Sequence, residues 1–292
     1  QAPLINAFAY GEADVSQSTF KQDTDNSADF QNWLSNVWQG GEKAYAQTEN
    51  VALTPGSDAA DLNFSWYSAG KGTPAVKVWK DGSKSSAKVV TGNAEAISAE
   101  NWQGKSYSAA NKVNIADYFE ENTQYHYQYT DNYTGDDSIW SAEYDYTTKA
   151  TYKFSVILTG DPQVGASGSS SDYSANDASV ARDAYNWNKT MQQALKTCPD
   201  ASFLLSAGDQ INQSGATKDN DKKTRESEYA GYLYPSVFRS LPIAATIGNH
   251  DMAGSDYSAH FNNPNSEDKL GSTAAGSDFY FNYGDVLFIS LN

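Results

Sequence analysis

The chain has 292 residues and a formal charge of −16, with ten basic against twenty acidic residues over 1–149 and ten against sixteen over 150–292. That length holds two ordinary domains, and neither half offers the basic face that a nucleic-acid backbone or an anionic membrane attracts. No apolar run nears the roughly 18 residues of a membrane-spanning helix, and a single cysteine, Cys198, excludes an intrachain disulfide.

Residues 1–44 read as a polar N-terminal extension with one helical candidate over 29–38, where Phe30, Trp33, Leu34 and Trp38 share a face. The opening Gln1-Ala2-Pro3 has the form of a secreted chain after signal removal. With the acidic, Tyr/Ser/Asn-rich composition, this points to an extracellular or cell-surface protein of bacterial origin. Over 45–149 short strands alternate with turns. Val51-Ala52-Leu53 precedes Thr54-Pro55-Gly56, Leu62–Tyr67 alternates through Phe64 and Trp66, and Ala75–Lys80 ends at Asp81-Gly82. Tyr125, Tyr127 and Tyr129 alternate in a later strand, and Trp140–Tyr146 forms another. Aromatics at period two over about 100 residues predict an antiparallel β-sandwich of fibronectin III or immunoglobulin type. His126 points opposite to the tyrosines and reads as a surface residue.

The period changes after residue 150. Phe154–Leu158 is a continuous apolar strand, and Val180, Ala184, Trp187, Met191 and Leu195 then mark one face of a helix ending at Cys198-Pro199. Phe203–Ala207 is a second buried strand, a Tyr-rich helix follows near Glu226–Ser240, and Leu241–Ile247 is a third strand. This βαβαβ order predicts a parallel sheet with right-handed crossovers. The mixed charges of Lys218–Glu228 read as a solvated run, the Gly/Ser-rich Ala166–Ala175 as a surface loop or lid, and His260 as a loop residue.

The three strands end alike, in Gly160-Asp161, Gly208-Asp209 and Gly248-Asn249-His250-Asp251. Ligands of open parallel sheets sit beyond the carboxyl ends of the strands, so these positions converge. Hard oxygen donors gathered there suit divalent cations.

Gly160-Asp161-Pro162-Gln163, Gly208-Asp209-Gln210-Ile211-Asn212 and Gly248-Asn249-His250-Asp251 resemble the first three motifs of the calcineurin-like metallophosphoesterases. The preceding sandwich, through Val51–Gly56 and Leu62–Trp66, is similar to the N-terminal domain of purple acid phosphatases. Phe279–Asp285 and Phe288–Asn292 resemble the strand pair that follows the third motif there. The resemblance covers 45–292 and implies hydrolysis of a phosphate mono- or diester by a water that two metal ions activate, the ions being Fe, Zn, Mn or Ca. By the same resemblance Asp161 binds the first metal, Asp209 bridges the pair and Asn249 binds the second. His250 faces the substrate phosphate as leaving-group acid or stabiliser, with Asp251 orienting its ring.

Three departures stand out. Gln163 replaces the usual histidine and is either a weaker ligand or a neighbour of one, and Asn212 replaces the tyrosine that makes those phosphatases purple. The histidines of the later motifs are absent, since His126 and His260 do not fit them. The expected architecture is therefore a β-sandwich (45–149) followed by an α/β metallophosphoesterase domain truncated after its first βαβαβ half (150–292). The missing half would lie in a second chain or beyond a cut. The alternative is a catalytically silent cell-surface binding or interaction protein that retains the fold.

Overall fold

The computed structural model describes residues 27–38, 51–102, 104–168, 173–266, 273 and 275–292. Most of the proposed extension, and the middle of the Gly/Ser-rich loop at 169–172, lie outside the described residues. What is described of the extension is helix α1, Ala28–Trp33, continued by a π-helical turn over Leu34–Trp38. Ser27 caps it, its Oγ accepting from Phe30 N at 3.1 Å. Phe30 and Trp38 are buried, and Trp33 donates its indole N–H to the Tyr234 hydroxyl at 2.6 Å. The aromatic spacing thus seats this helix on the helical layer described below.

Eight strands make two four-stranded antiparallel sheets. One has the order β1 (Ala52–Pro55), β2 (Leu62–Ser68), β6 (Ser106–Ile115), β5 (Asn93–Glu100). The other has the order β4 (Lys88–Thr91), β3 (Ala75–Lys80), β7 (Gln124–Thr130), β8 (Tyr144–Thr147). Period-two side chains from both sheets meet in one core: Leu62, Phe64 and Trp66 from β2, Val76 and Val78 from β3, Val113 and Ile115 from β6, Tyr125 and Tyr127 from β7. Strand β2 is buried at every position because its second face is covered too. Asn63 donates to the Asn262 carbonyl at 2.9 Å, Ser65 to the His260 carbonyl at 2.5 Å, and Tyr67 stacks on the His260 ring at 4.1 Å. A polar, aromatic face is buried there because hydrogen bonds meet it.

The second layer system is a parallel sheet in the order β11 (Ile243–Ala245), β10 (Ala201–Ser206), β9 (Ser155–Thr159). Helix α2, Tyr173–Thr197, and helix α3, Asp219–Leu233, pack on one face. Val180, Ala184, Trp187 and Met191 of α2 are buried at the expected spacing. The hairpin β12 (Phe279–Tyr283) and β13 (Val286–Ser290) covers part of the other face, where Phe279 and Phe281 bury Phe203 and Ala244. Among the described residues nothing covers the rest of that face. Leu158 is 71% exposed, Ile289 62% and Leu291 69%, and a cavity of about 220 Å³ opens beside them, lined by Leu158, Leu205, Phe288 and Ile289. No described helix is long and apolar enough to cross a membrane.

Three expectations are corrected. The Tyr-rich helix begins at Asp219, not Glu226, and ends at Leu233, because Pro235 cannot continue it; Ser236–Arg239 is a separate 3₁₀ turn. The charge run Lys218–Glu228 lies largely in that helix, and Thr224, Arg225, Glu226, Ser227 and Glu228 are buried. Each buried charge has a specific partner. Glu226 meets His260 Nε2 at 2.9 Å, and Arg225 and Glu228 hold the loops of the candidate site. His260 is accordingly a buried residue of helix α4 (Asp256–His260) at the contact between the two layer systems.

Candidate functional site

The loops after β9, β10 and β11 lie side by side, as the parallel order requires. Beyond the strands the first two remain paired: Gln163 N–H donates to the Asp209 carbonyl at 2.9 Å, and Val164 bridges Ile211 in parallel register. The second and third loops touch through two glycines. Gly208 has φ +110°, and a Cβ on it would stand 3.0 Å from the Gly248 Cα; a Cβ on Gly248 would stand 2.0 Å from Asp209 Oδ1. No side chain fits between these loops.

Asp161, Gln163 and Asp209 all occupy the left-handed region, with φ of 47°, 37° and 49°. For residues other than glycine this costs about 1–3 kcal/mol each, and such strain concentrates at functional sites. The Asp209 carboxylate is the meeting point. The Gln163 amide donates to Oδ2 at 3.2 Å, His250 N–H donates to Oδ1 at 2.9 Å, and His250 Nε2 lies 4.0 Å from Oδ2. Asp209 is only 5% exposed. Asp161 and Asn249 stand exposed on the flanking loops. The fold therefore gathers Gln163, Asp209 and His250 directly, while Asp161 and Asn249 sit at neighbouring strand ends.

Asp251 has a different place from the expected one. It is fully buried, and its Oδ2 accepts from Gly248 N at 2.8 Å and from the Gln210 amide at 3.0 Å. Its Oδ1 accepts from the Tyr229 hydroxyl at 2.9 Å. The carboxylate turns inward to close its own loop and does not reach the His250 ring. Burial pushes the Asp251 carboxyl up to about 6 against those donors. The ring is held instead by the Asn212 carbonyl, to which Nδ1 donates. A carbonyl only accepts, so Nδ1 carries the hydrogen and Nε2 is left on the Asp209 side.

Helix α3 supplies the scaffold. Arg225, wholly buried, uses all five of its N–H donors: two on the Asp256 carboxylate at 2.5 and 2.7 Å, and one each on the carbonyls of Gln213, His250 and Asp251 at 2.6–2.7 Å. Glu228 accepts from Asn212 N and Gln213 N at 3.0 and 2.7 Å. Burial pushes its carboxyl up to about 8 despite these two donors. None of this was expected from the sequence. The available signal was the i, i+3, i+4, i+7 spacing of Arg225, Glu228, Tyr229 and Tyr232, which places them on one helix face.

Two carboxylates and two amide oxygens are hard donors suited to a divalent cation. Four such donors are too few to fill the coordination of two ions. Among the described residues, no three His, Cys, Asp or Glu side chains gather where they could hold a metal ion. His126 lies on the sandwich, with its ring nitrogens on Asp145 and Asp81 at 2.7 and 2.9 Å, and His260 is committed to Glu226.

Among solved structures, the chain is similar to a purple acid phosphatase from yellow lupin (Lupinus luteus) seeds, with a TM-score of 0.54 and 15% identity. The match covers 83% of this chain and 45% of that one, so the chain spans less than half of that phosphatase. At this identity the likeness is one of fold alone. No protein-family profile and no curated protein matches the sequence.

Proposed function

We propose that this chain carries the first half of a two-metal phosphoester hydrolase site, placed behind a fibronectin III-like sandwich in an extracellular or cell-surface protein. The observation that carries the reading is the convergence of Gln163 and His250 on the buried Asp209 carboxylate at adjacent parallel strand ends. Asp161 would hold a first metal, Asp209 would bridge and Asn249 would take the second, with Gln163 as a further oxygen donor or a hydrogen-bond donor to Asp209. Bound metals would supply an activated water and positive charge against a phosphate. In its imidazolium form His250, whose Nδ1 is tied to the Asn212 carbonyl, would offer Nε2–H to a leaving-group oxygen as acid or stabiliser. The remaining ligands would come from polypeptide covering the exposed face around Leu158 and Ile289, either as a continuation of the chain or as a second one.

The test is hydrolysis of a nitrophenyl phosphate ester with manganese, zinc or iron, by a protein that includes the covering polypeptide. Asp209→Ala should abolish turnover. Activity that survives this change would refute the two-metal reading. Absence of turnover with every metal would instead favour a binding protein that keeps the fold.

A further inference from the structure

The hydrogen bond that sets the His250 ring ends on a peptide group that is held from both sides. Among the described residues no peptide bond is cis, so the Asn212 carbonyl and the Gln213 N–H point oppositely across one rigid plane. His250 Nδ1 donates to that carbonyl. At the other end Gln213 N–H donates to Glu228 Oε2 at 2.7 Å, and the same oxygen takes Asn212 N–H at 3.0 Å. Glu228 is itself fixed: it is 2% exposed, and Gly165, at φ +108°, passes so close that a Cβ there would stand 2.3 Å from Oε1. Arg225 pins the next carbonyl, Gln213 O, at 2.6 Å.

We infer that Glu228 is a positioning residue for His250, acting through the single peptide group between Asn212 and Gln213. A peptide held only at its carbonyl can swing about the flanking backbone torsions, and the imidazole it orients swings with it. Anchoring the N–H end removes that freedom. It also polarises the amide, so the carbonyl becomes a stronger acceptor for the imidazole. The result is one protonated nitrogen, Nδ1, and a free Nε2 directed toward Asp209. The role is geometric and not one of charge. Burial pushes the Glu228 carboxyl up to about 8, and its oxygen accepts both backbone donors in either protonation state. A glutamine should therefore serve as well as the glutamate. A leucine removes the acceptor, and an aspartate retracts it by one methylene.

The inference rests on the reading of His250 as the phosphate-facing group, but its test does not depend on turnover. Long-range ¹H–¹⁵N correlation of the three histidines, recorded where the rings are neutral, reports which nitrogen carries hydrogen. In the unmodified protein and in Glu228→Gln, His250 should be protonated at Nδ1. In Glu228→Leu the ratio of Nδ1–H to Nε2–H forms should fall by about tenfold, the factor that corresponds to one hydrogen bond's worth of about 1.4 kcal/mol. Unchanged signals from His126 and His260 certify the fold. If Glu228→Leu does not fold, Glu228→Asp gives the same readout. An unaltered ratio in the Leu or Asp variant overturns the inference, and so does loss of the Nδ1–H form in Glu228→Gln. A failed hydrolysis assay alongside an intact tautomer response would count against the phosphoester reading alone.

Discussion

Arg225→Met is the perturbation that probes the scaffold of the site most directly. The side chain is 0% exposed, and its five donors join α3 to two of the three loops and to Asp256. Methionine fills much of the space and supplies no donor. Asp256, with a side chain 11% exposed, is left as an uncompensated carboxylate, and removing one partner of a buried pair costs about 3–5 kcal/mol. Three carbonyls lose a charge-assisted donor as well, at about 1 kcal/mol or more each where water cannot replace it. The expected loss is about 6–8 kcal/mol, a large part of the roughly 5–15 kcal/mol that holds a domain together. Arg225→Lys keeps at most three donors on one nitrogen and should lose about half as much. Urea denaturation followed by circular dichroism gives the loss. Adding Asp256→Asn should recover part of it, because the orphaned charge disappears. A loss below about 1 kcal/mol for Arg225→Met, or no recovery in the double variant, would refute the reasoning.

The remaining predictions concern pH and packing. The folded Glu228 carboxyl, at about 8, lies above its ordinary 4.5, so the folded state binds more protons than the unfolded one between those values. Its contribution is full below about pH 4.5 and is lost as pH rises through about 8, by at most about 5 kcal/mol. Glu228→Gln should remove that slope, so its stability relative to the unmodified protein should rise between pH 5 and pH 8.5; equal slopes in urea titrations would contradict the assignment. Gly248→Ala places a methyl group against Asp209 and should cost at least the upper end of the roughly 1–3 kcal/mol of an overpacked site. An unchanged denaturation midpoint would show that the loops have room. On the sandwich, burial lowers the His126 pKa, but hydrogen bonds to Asp81 and Asp145 outweigh it and the net shift is upward. An NMR titration should therefore place its midpoint above 6.5, and Asp145→Asn should lower it.

The three loops, the parallel layer that carries them and five strands of the sandwich were legible in the chain because apolar periodicity reports which face is buried. Strands β4, β5 and β6, exposed or rich in small residues, were not. Phe64 and Trp66, Tyr125 and Tyr127, and Val180 through Met191 all follow the spacing of the surface they pack against. The repeated glycine before Asp161, Asp209 and Asn249 likewise announced sharp turns at strand ends, a local backbone property. Burial of polar groups was not legible, because it depends on partners far along the chain. Arg225 and Glu228 look like surface charges until Asp256, the Gln213 and His250 carbonyls and the Asn212–Gln213 peptide are brought to them. His260 is a loop histidine in the sequence and a buried one once Glu226 and Tyr67 surround it. The same dependence put the orientation of His250 beyond reach. The adjacent Asp251 is consumed by Gly248, Gln210 and Tyr229, and a main-chain carbonyl takes the ring. Side-chain type and spacing determined where the chain turns and what it can ligate. Tertiary structure decided which polar groups remain free to do so, since a buried hydrogen-bonding group is satisfied by whatever partner the fold brings to it.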